Sequence, residues 1–399
     1  MAAAAPPVSA QRLIGVIGLS LALGYLVILA GTYLQGHFLT DAQGRPIAND
    51  FVDVYAAGRM ALEGVAASAY DWPTHKAAEV QALGHPFADY YGWHYPPPFL
   101  FVAAALALLP YLGAALAWLL ATLCAYAATL RVILRSRVGI LLALGFPAAI
   151  WNITAGQNGF LTAALIGGTL SSMERRPALA GVFLGLLTYK PQFGLLFPLV
   201  LIADRRWLTI AVAACVAIGM AVASWLAFGI ASWQAFFHWL PISSHIILGE
   251  GRADFGRLQS LYGLVRAHGG DETLAWSVQA VGSLAVAAGI VWLWRSRAAY
   301  ELKAGALAAA VLVATPYVYM YDVVVLGVAV AFLLRYALDR GITSTEIVGL
   351  AAAGALILAF PYVKTQVGLA AVLIVLALIV QRVVQRPLPA AHGVGPAAA

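Results

Sequence analysis

Leu208 to Phe228 reads LTIAVAACVAIGMAVASWLAF, an unbroken run without a single charged residue. A helix on the surface of a soluble protein keeps a polar face for water, and this stretch has none. About 20 apolar residues is what an α-helix needs to cross the hydrocarbon core of a bilayer. The continuous Ala, Leu, Gly and Val content is also unlike the polar/apolar alternation of a membrane β-strand. The stretch is a transmembrane helix by this reading, and the fold class is all-α.

The rest of the chain repeats the pattern. Of 399 residues, 62% are hydrophobic and 10% charged, against about 25% charged in an ordinary soluble domain. Apolar segments fall at 11–34, 97–109, 112–130, 139–152, 159–173, 178–189, 192–203, 207–229, 272–294, 302–316, 323–335, 345–361 and 366–382. They describe a polytopic integral membrane protein with one transmembrane domain over 1–386 and a short tail, 387–399, expected to be disordered and cytoplasmic. Long polar loops, 35–96 and 230–271, interrupt the series. The first segment exceeds a signal-peptide core and is followed by many more, so it is expected to remain as a helix. Cys124 and Cys215 lie within apolar runs and behave as small hydrophobes; the spacing offers neither a disulfide framework nor a metal motif.

The net charge is +6, but the arginines sit at segment ends rather than along one polar face. This argues against a nucleic-acid partner and for the positive-inside rule. Arg131, Arg135, Arg137, Arg175, Arg176, Arg205, Arg206, Arg295, Arg297, Arg335, Arg340, Arg382 and Arg386 mark the cytoplasmic connectors. Loops 35–96 and 230–271 then face outward. Two full crossings between 97 and 130 would carry Arg131 to the wrong side, so one segment there does not cross and about twelve crossings remain. Seven of the seventeen acids (Asp41, Asp50, Asp53, Glu63, Asp71, Glu79, Asp89) and four of the eight histidines (His37, His75, His85, His94) fall in loop 35–96. Any chemistry is expected on that side.

Five stretches carry candidate chemistry. Asn49-Asp50-Phe51-Val52-Asp53 opens a short interfacial helix; Asn49 or Asp50 suits an N-cap, while a carboxylate at a membrane-side cleft suits a general base. Asp50 and Asp53 share a helix face, and one of them is expected in the site. Gly92-Trp93-His94-Tyr95-Pro96-Pro97-Pro98-Phe99 crowds aromatics at the boundary, as any membrane protein does, with His94 the candidate for chemistry. Ala155-Gly156-Gln157-Asn158-Gly159 offers two amides that suit a carbohydrate, or that satisfy loop backbone. Thr188-Tyr189-Lys190-Pro191-Gln192 puts a cation at the outer end of a helix, as a snorkelling anchor or a phosphate counter-ion. Thr315-Pro316-Tyr317-Val318-Tyr319-Met320-Tyr321-Asp322 places tyrosines and an acid at interface depth; an acid entering an apolar run usually has a partner or a job. Arg252, Arg257, Gln259 and Ser260 in the second loop offer weaker phosphate or sugar contacts.

Together these stretches resemble glycosyltransferase family 87, of the GT-C class of integral-membrane enzymes. The residues carrying the resemblance, in order, are Asp50-Phe51, Tyr55-Ala56-Ala57-Gly58-Arg59, Tyr70-Asp71, Tyr95-Pro96-Pro97, Gly156-Gln157-Asn158, Ala180-Gly181 with Leu184-Gly185, Lys190-Pro191, Arg205-Arg206-Trp207 and Thr315-Pro316. The resemblance implies transfer of a sugar, typically mannose, from a polyprenyl-phosphate donor to a glycan or glycolipid acceptor. The transfer would occur at the outer face of an inner membrane, with inversion, without metal or other cofactor. It maps the base onto Asp50 and lines the donor pocket with Lys190, Gln157 and Asn158. Related enzymes can carry a histidine in the loop after the Thr/Ser-Pro pair, where this chain has Tyr321-Asp322. The rival reading is a lipid or solute transporter or flippase, against which stand the external placement of the acids and the lack of paired halves.

Overall fold

The computed structural model describes residues 10–35, 49–87, 91–252 and 254–385. Expectations placed on His37, Asp41, Asp89, Arg386 and the 387–399 tail lie outside the described residues, as does the Asn49 side chain.

The described residues are helical, with no strand. The helices are α1 (Ala10–Leu34), α2 (Asn49–Leu62), α3 (Trp72–Leu83), α4 (Leu100–Ala107), α5 (Tyr111–Leu134), α6 (Val138–Gly145), α7 (Ala149–Ala155), α8 (Gly159–Ser172) and α9 (Pro177–Leu186). They continue as α10 (Phe197–Ala203), α11 (Trp207–Ser244), α12 (Leu261–Ala267), α13 (Glu272–Arg295), α14 (Tyr300–Val313), α15 (Leu326–Arg340), α16 (Ser344–Val363) and α17 (Val367–Val384).

Among the described residues, six helices are long and apolar enough to cross a membrane: α1, α5, α11, α13, α16 and α17. The pair α6 and α7, bent by 57°, makes a seventh if it is one span. The apolar count anticipated about twelve crossings; the difference lies in 139–203 and 302–335, where helices run only 7 to 15 residues. Packing explains the division. Helices α14 and α15 are buried almost continuously, Ala304–Val313 and Leu326–Leu334, whereas only 6% of the apolar window of α11 is covered by protein. Helices such as α11 thus turn their apolar surface outward, whereas the short α8, α14 and α15 are enclosed, with protein supplying the apolar surroundings that lipid supplies elsewhere.

Side-chain contacts define two ends of the bundle. At one, Arg335 meets Glu301 and the Ile133 carbonyl, Tyr300 bonds the Leu170 carbonyl, and Arg206 bonds Asp204 and the Met173 carbonyl. At the other, the breaks after α7, α9 and α14 come together with α2.

Both polar loops contain more helix than their composition suggests. In the first, α2 packs on α4, and Gly58 is required there because a Cβ would stand 2.1 Å from the Ala103 carbonyl oxygen. Asp71 caps α3, accepting from the Thr74 N–H at 3.1 Å. The second loop, expected from residue 230, is instead helical to Ser244: α11 kinks at Gly229 (φ 76°) and continues. Aromatic packing holds the continuation, since Phe236 lies edge-on to Tyr70 and Trp239 stacks on Trp72.

Candidate functional site

Asp50 occupies the first turn of α2. Its Oδ2 accepts from Gln157 Nε2 at 2.9 Å, so the carboxylate reaches across to another element. Gln157 and Asn158 sit at the break between α7 and α8, where Gly156 ends α7 in the left-handed region (φ 71°). Gly159 then lets the Tyr321 backbone approach, for a Cβ would lie 2.4 Å from its carbonyl oxygen. Lys190 sits between two short 3-10 turns, directly ahead of Pro191. Its buried Nζ donates to Asn158 Oδ1 at 2.9 Å and to Asp322 Oδ1 at 2.6 Å.

Tyr95 joins these pieces. Its hydroxyl accepts from Asn158 Nδ2 at 2.7 Å and donates to Gln157 Oε1 at 3.3 Å. Tyr70 in turn bonds the Tyr95 carbonyl at 2.9 Å. The result is a continuous chain from Lys190 through Asn158, Tyr95 and Gln157 to Asp50, in which every member donates toward the carboxylate. Aligned hydrogen bonds in a low-dielectric setting polarise one another; here a cation stands at the donor end and an anion at the acceptor end.

The electrostatics follow from burial. Desolvation lifts the Asp50 carboxyl to about 6. The Gln157 hydrogen bond and the charges of Arg257 and Lys190 pull it down, while Asp322 adds to the rise. Burial also raises Asp322, against the pull of Lys190 and of the Tyr319 N–H, which donates to its Oδ2 at 3.1 Å. Tyr319 and Tyr321 stack, centroids 5.4 Å apart and both half-buried, with the Lys190 ammonium 5.5 Å from the Tyr321 ring.

Three sequence candidates stand apart from this chain. Asp53 is buried one turn along α2, with Oδ1 3.8 Å from His75 Nε2, which is also 3.8 Å from Glu79 Oε1. Burial, Glu79 and Asp50 hold Asp53 well above the carboxylate range; burial lifts Glu79 to about 9 and presses His75 down to about 3. The cluster braces α2 on α3 and keeps Asp53 apart from the chain that ends at Asp50. Among the described residues no group of three or more His, Cys, Asp or Glu is arranged to hold a metal ion. His94 is exposed, its ring edge-on to Trp72. Gln259 is committed to backbone: Oε1 accepts from the Gly368 N–H at 2.8 Å, and Nε2 faces the carbonyls of Gly256, Arg257 and Thr365. It ties the second loop to the start of α17. Arg257 is exposed, its charge within reach of Asp50.

Sequence reasoning missed Tyr95 as the hub and His75 and Glu79 as partners of Asp53. The signals were present: a tyrosine before the proline run, and a His/Glu pair at i, i+4 on α3.

The family model of glycosyltransferase family 87 matches residues 93–316. That is more than half of the chain, which therefore belongs to glycosyltransferase family 87 and is a membrane glycosyltransferase. No curated protein and no solved structure matches it. The matched region contains Tyr95, Gln157, Asn158, Lys190 and Arg257; Asp50 and Asp322 lie on either side of it. Membership of a transferase family sets aside the transporter reading.

Proposed function

We propose that the enzyme moves a sugar, with mannose the first candidate, from a polyprenyl-phosphate donor to an acceptor hydroxyl on a glycan or glycolipid at the extracytoplasmic face of an inner membrane. The reading adopts a GT-C architecture, in which the shorter helices α8, α9, α10, α14 and α15 bring the passes to about twelve, while α4 turns back on the Asp50 side. One observation carries it: the unidirectional chain from the Lys190 ammonium to the Asp50 carboxylate.

Asp50 is the base. Its half-exposed carboxylate takes the proton of the acceptor hydroxyl as that oxygen bonds to the anomeric carbon. The bond from that carbon to the lipid-phosphate oxygen breaks on the opposite side, so the configuration inverts. Raised toward neutrality by burial, the carboxyl is basic enough to accept a proton and still ionised at pH 7. Arg257, exposed and near Asp50, meets the departing phosphate; Lys190, tied to Asp322, supplies fixed positive potential behind it. The stacked Tyr319 and Tyr321 rings offer an apolar face for the sugar. Gln157, Asn158 and Tyr95 position the base.

The test uses purified enzyme in detergent with polyprenyl-phosphate-linked mannose, a format that needs no compartments. Asp50→Asn lowers turnover by roughly 10²- to 10⁴-fold, the span of general-base contributions, and activity of the parent rises with pH through about 6 as Asp50 ionises. Asp53→Asn, at an acid that burial holds well above the carboxylate range and that lies outside the chain, leaves turnover nearly unchanged. Parent-like turnover in Asp50→Asn removes Asp50 as the base.

A further inference from the structure

The arginine-rich end holds a feature the transfer reaction does not use. Arg131, Arg135 and Arg137, with Ser136, Ala128 and Val132, line one open hollow of about 530 Å³ where α5 gives way to α6. Its lining contains three guanidinium groups and no carboxylate. Three other arginines at this end are held by acids: Arg206 by Asp204, Arg335 by Glu301 and Arg382 by Glu346. Among the described residues, none of the three side chains lining the hollow has an ion-pair partner or donates a hydrogen bond.

Helix position alone accounts for one arginine here, since cations are favoured at a C-terminus. It does not account for three turned to one space. Nor does it account for Arg135, which takes the left-handed conformation (φ 51°) that ends α5, a place usually filled by glycine or asparagine.

The hollow continues into lipid-facing surface. Leu112, Leu116, Leu120, Cys124, Ala128 and Val132 are all exposed and recur every fourth residue, forming one apolar stripe along α5 that ends at the arginines. We propose that this hollow is a binding site for an anionic phospholipid, its phosphate held by Arg131, Arg135 and Arg137 and an acyl chain lying along the α5 stripe. Charge complementarity selects a phosphate, and continuity with the stripe selects a lipid over a soluble anion.

The test is native mass spectrometry of the full-length enzyme released from nanodiscs of equal phosphatidylglycerol and phosphatidylcholine. The parent retains phosphatidylglycerol selectively. Each basic residue near an anionic surface contributes a factor of about five, so Arg131→Gln/Arg135→Gln/Arg137→Gln lowers the selectivity by roughly a hundredfold. Arg175→Gln/Arg176→Gln, which removes charge at the neighbouring connector, leaves it in place. Should the triple variant fail to fold, the three single variants each show about a fivefold loss. Equal retention of both lipids by the parent overturns the proposal, as do unchanged selectivity in the triple variant or flat single variants. An equal loss in the Arg175/Arg176 control assigns the effect to net charge. Displacement of phosphatidylglycerol by low-millimolar inorganic phosphate assigns the hollow to soluble anions, and either result defeats the lipid site.

Discussion

The two ends of the bundle handle charge in opposite ways. Around Asp50 the ions are buried or half-buried and joined through neutral amides and a phenol, with Lys190 pressed against Asp322. At the arginine end, apart from the buried Glu346 that holds Arg382, the ions are partly or fully exposed, and their acids lie at their side in simple pairs such as Arg335 with Glu301. An exposed pair is screened by water and contributes little. A buried one, once broken, leaves an ion without solvation. The contrast separates an end whose polar groups are costly to keep from an end whose charges are mostly solvated.

The largest effect on stability is therefore expected at the buried pair. Lys190→Met strands the Asp322 carboxylate and costs about 3–5 kcal/mol, measured by denaturation in detergent; Lys190→Met/Asp322→Leu recovers most of it. A loss below about 1 kcal/mol in the single variant would make the two ends alike.

Next comes the acid cluster beside Asp50. The Glu79 carboxyl is raised in the folded state to about 9, so its contribution is complete below the unfolded value and is lost as pH rises through about 9. Melting temperature accordingly falls between pH 6.5 and 9, with Asp53 acting in the same sense, and Glu79→Gln flattens that slope. A slope unchanged by Glu79→Gln would place the titration elsewhere.

Subtler still is the chain itself. Tyr95→Phe removes the hydroxyl that links Asn158 to Gln157. The Gln157 hydrogen bond to Asp50 weakens, the ionised base is less favoured, and the acid limb of the activity profile moves above about 6. The displacement is on the order of 0.3 of a pH unit, the scale of cooperative gain in one charge-assisted hydrogen bond. The smallest effect belongs to the opposite end: Arg335→Gln changes stability by less than about 1 kcal/mol.

The helical, membrane-embedded class was legible because a run such as Leu208–Phe228 has no soluble alternative. The candidate site was legible as residue types: an acid opening a helix, paired amides at a glycine, a lysine before proline, an acid after tyrosines. Their pairing was not. Lys190 and Asp322 are 132 positions apart, and nothing local in either stretch names the other. Asp53 looked equivalent to Asp50 because helical spacing puts both on one face, yet its neighbours come from α3, which sequence periodicity on α2 does not report. Hydropathy likewise counts apolar residues without distinguishing a lipid-facing helix from a short one enclosed by protein, so thirteen apolar segments, read as about twelve crossings, yielded six helices of full spanning length among the described residues. Residues 230–244 were read as loop because aromatics interleaved with polar residues resemble one until their partners, Tyr70 and Trp72, are in place.

Helix α11 carries a mechanical implication. Its 38 residues would extend about 57 Å if straight, nearly twice the hydrocarbon thickness. Beyond the elbow at Gly229, its upper limb is moored by aromatic rings to the segment that precedes and opens α3. One covalent rod thus joins an apolar stretch of spanning length to Tyr70, and through the Tyr70 hydrogen bond to the backbone of Tyr95.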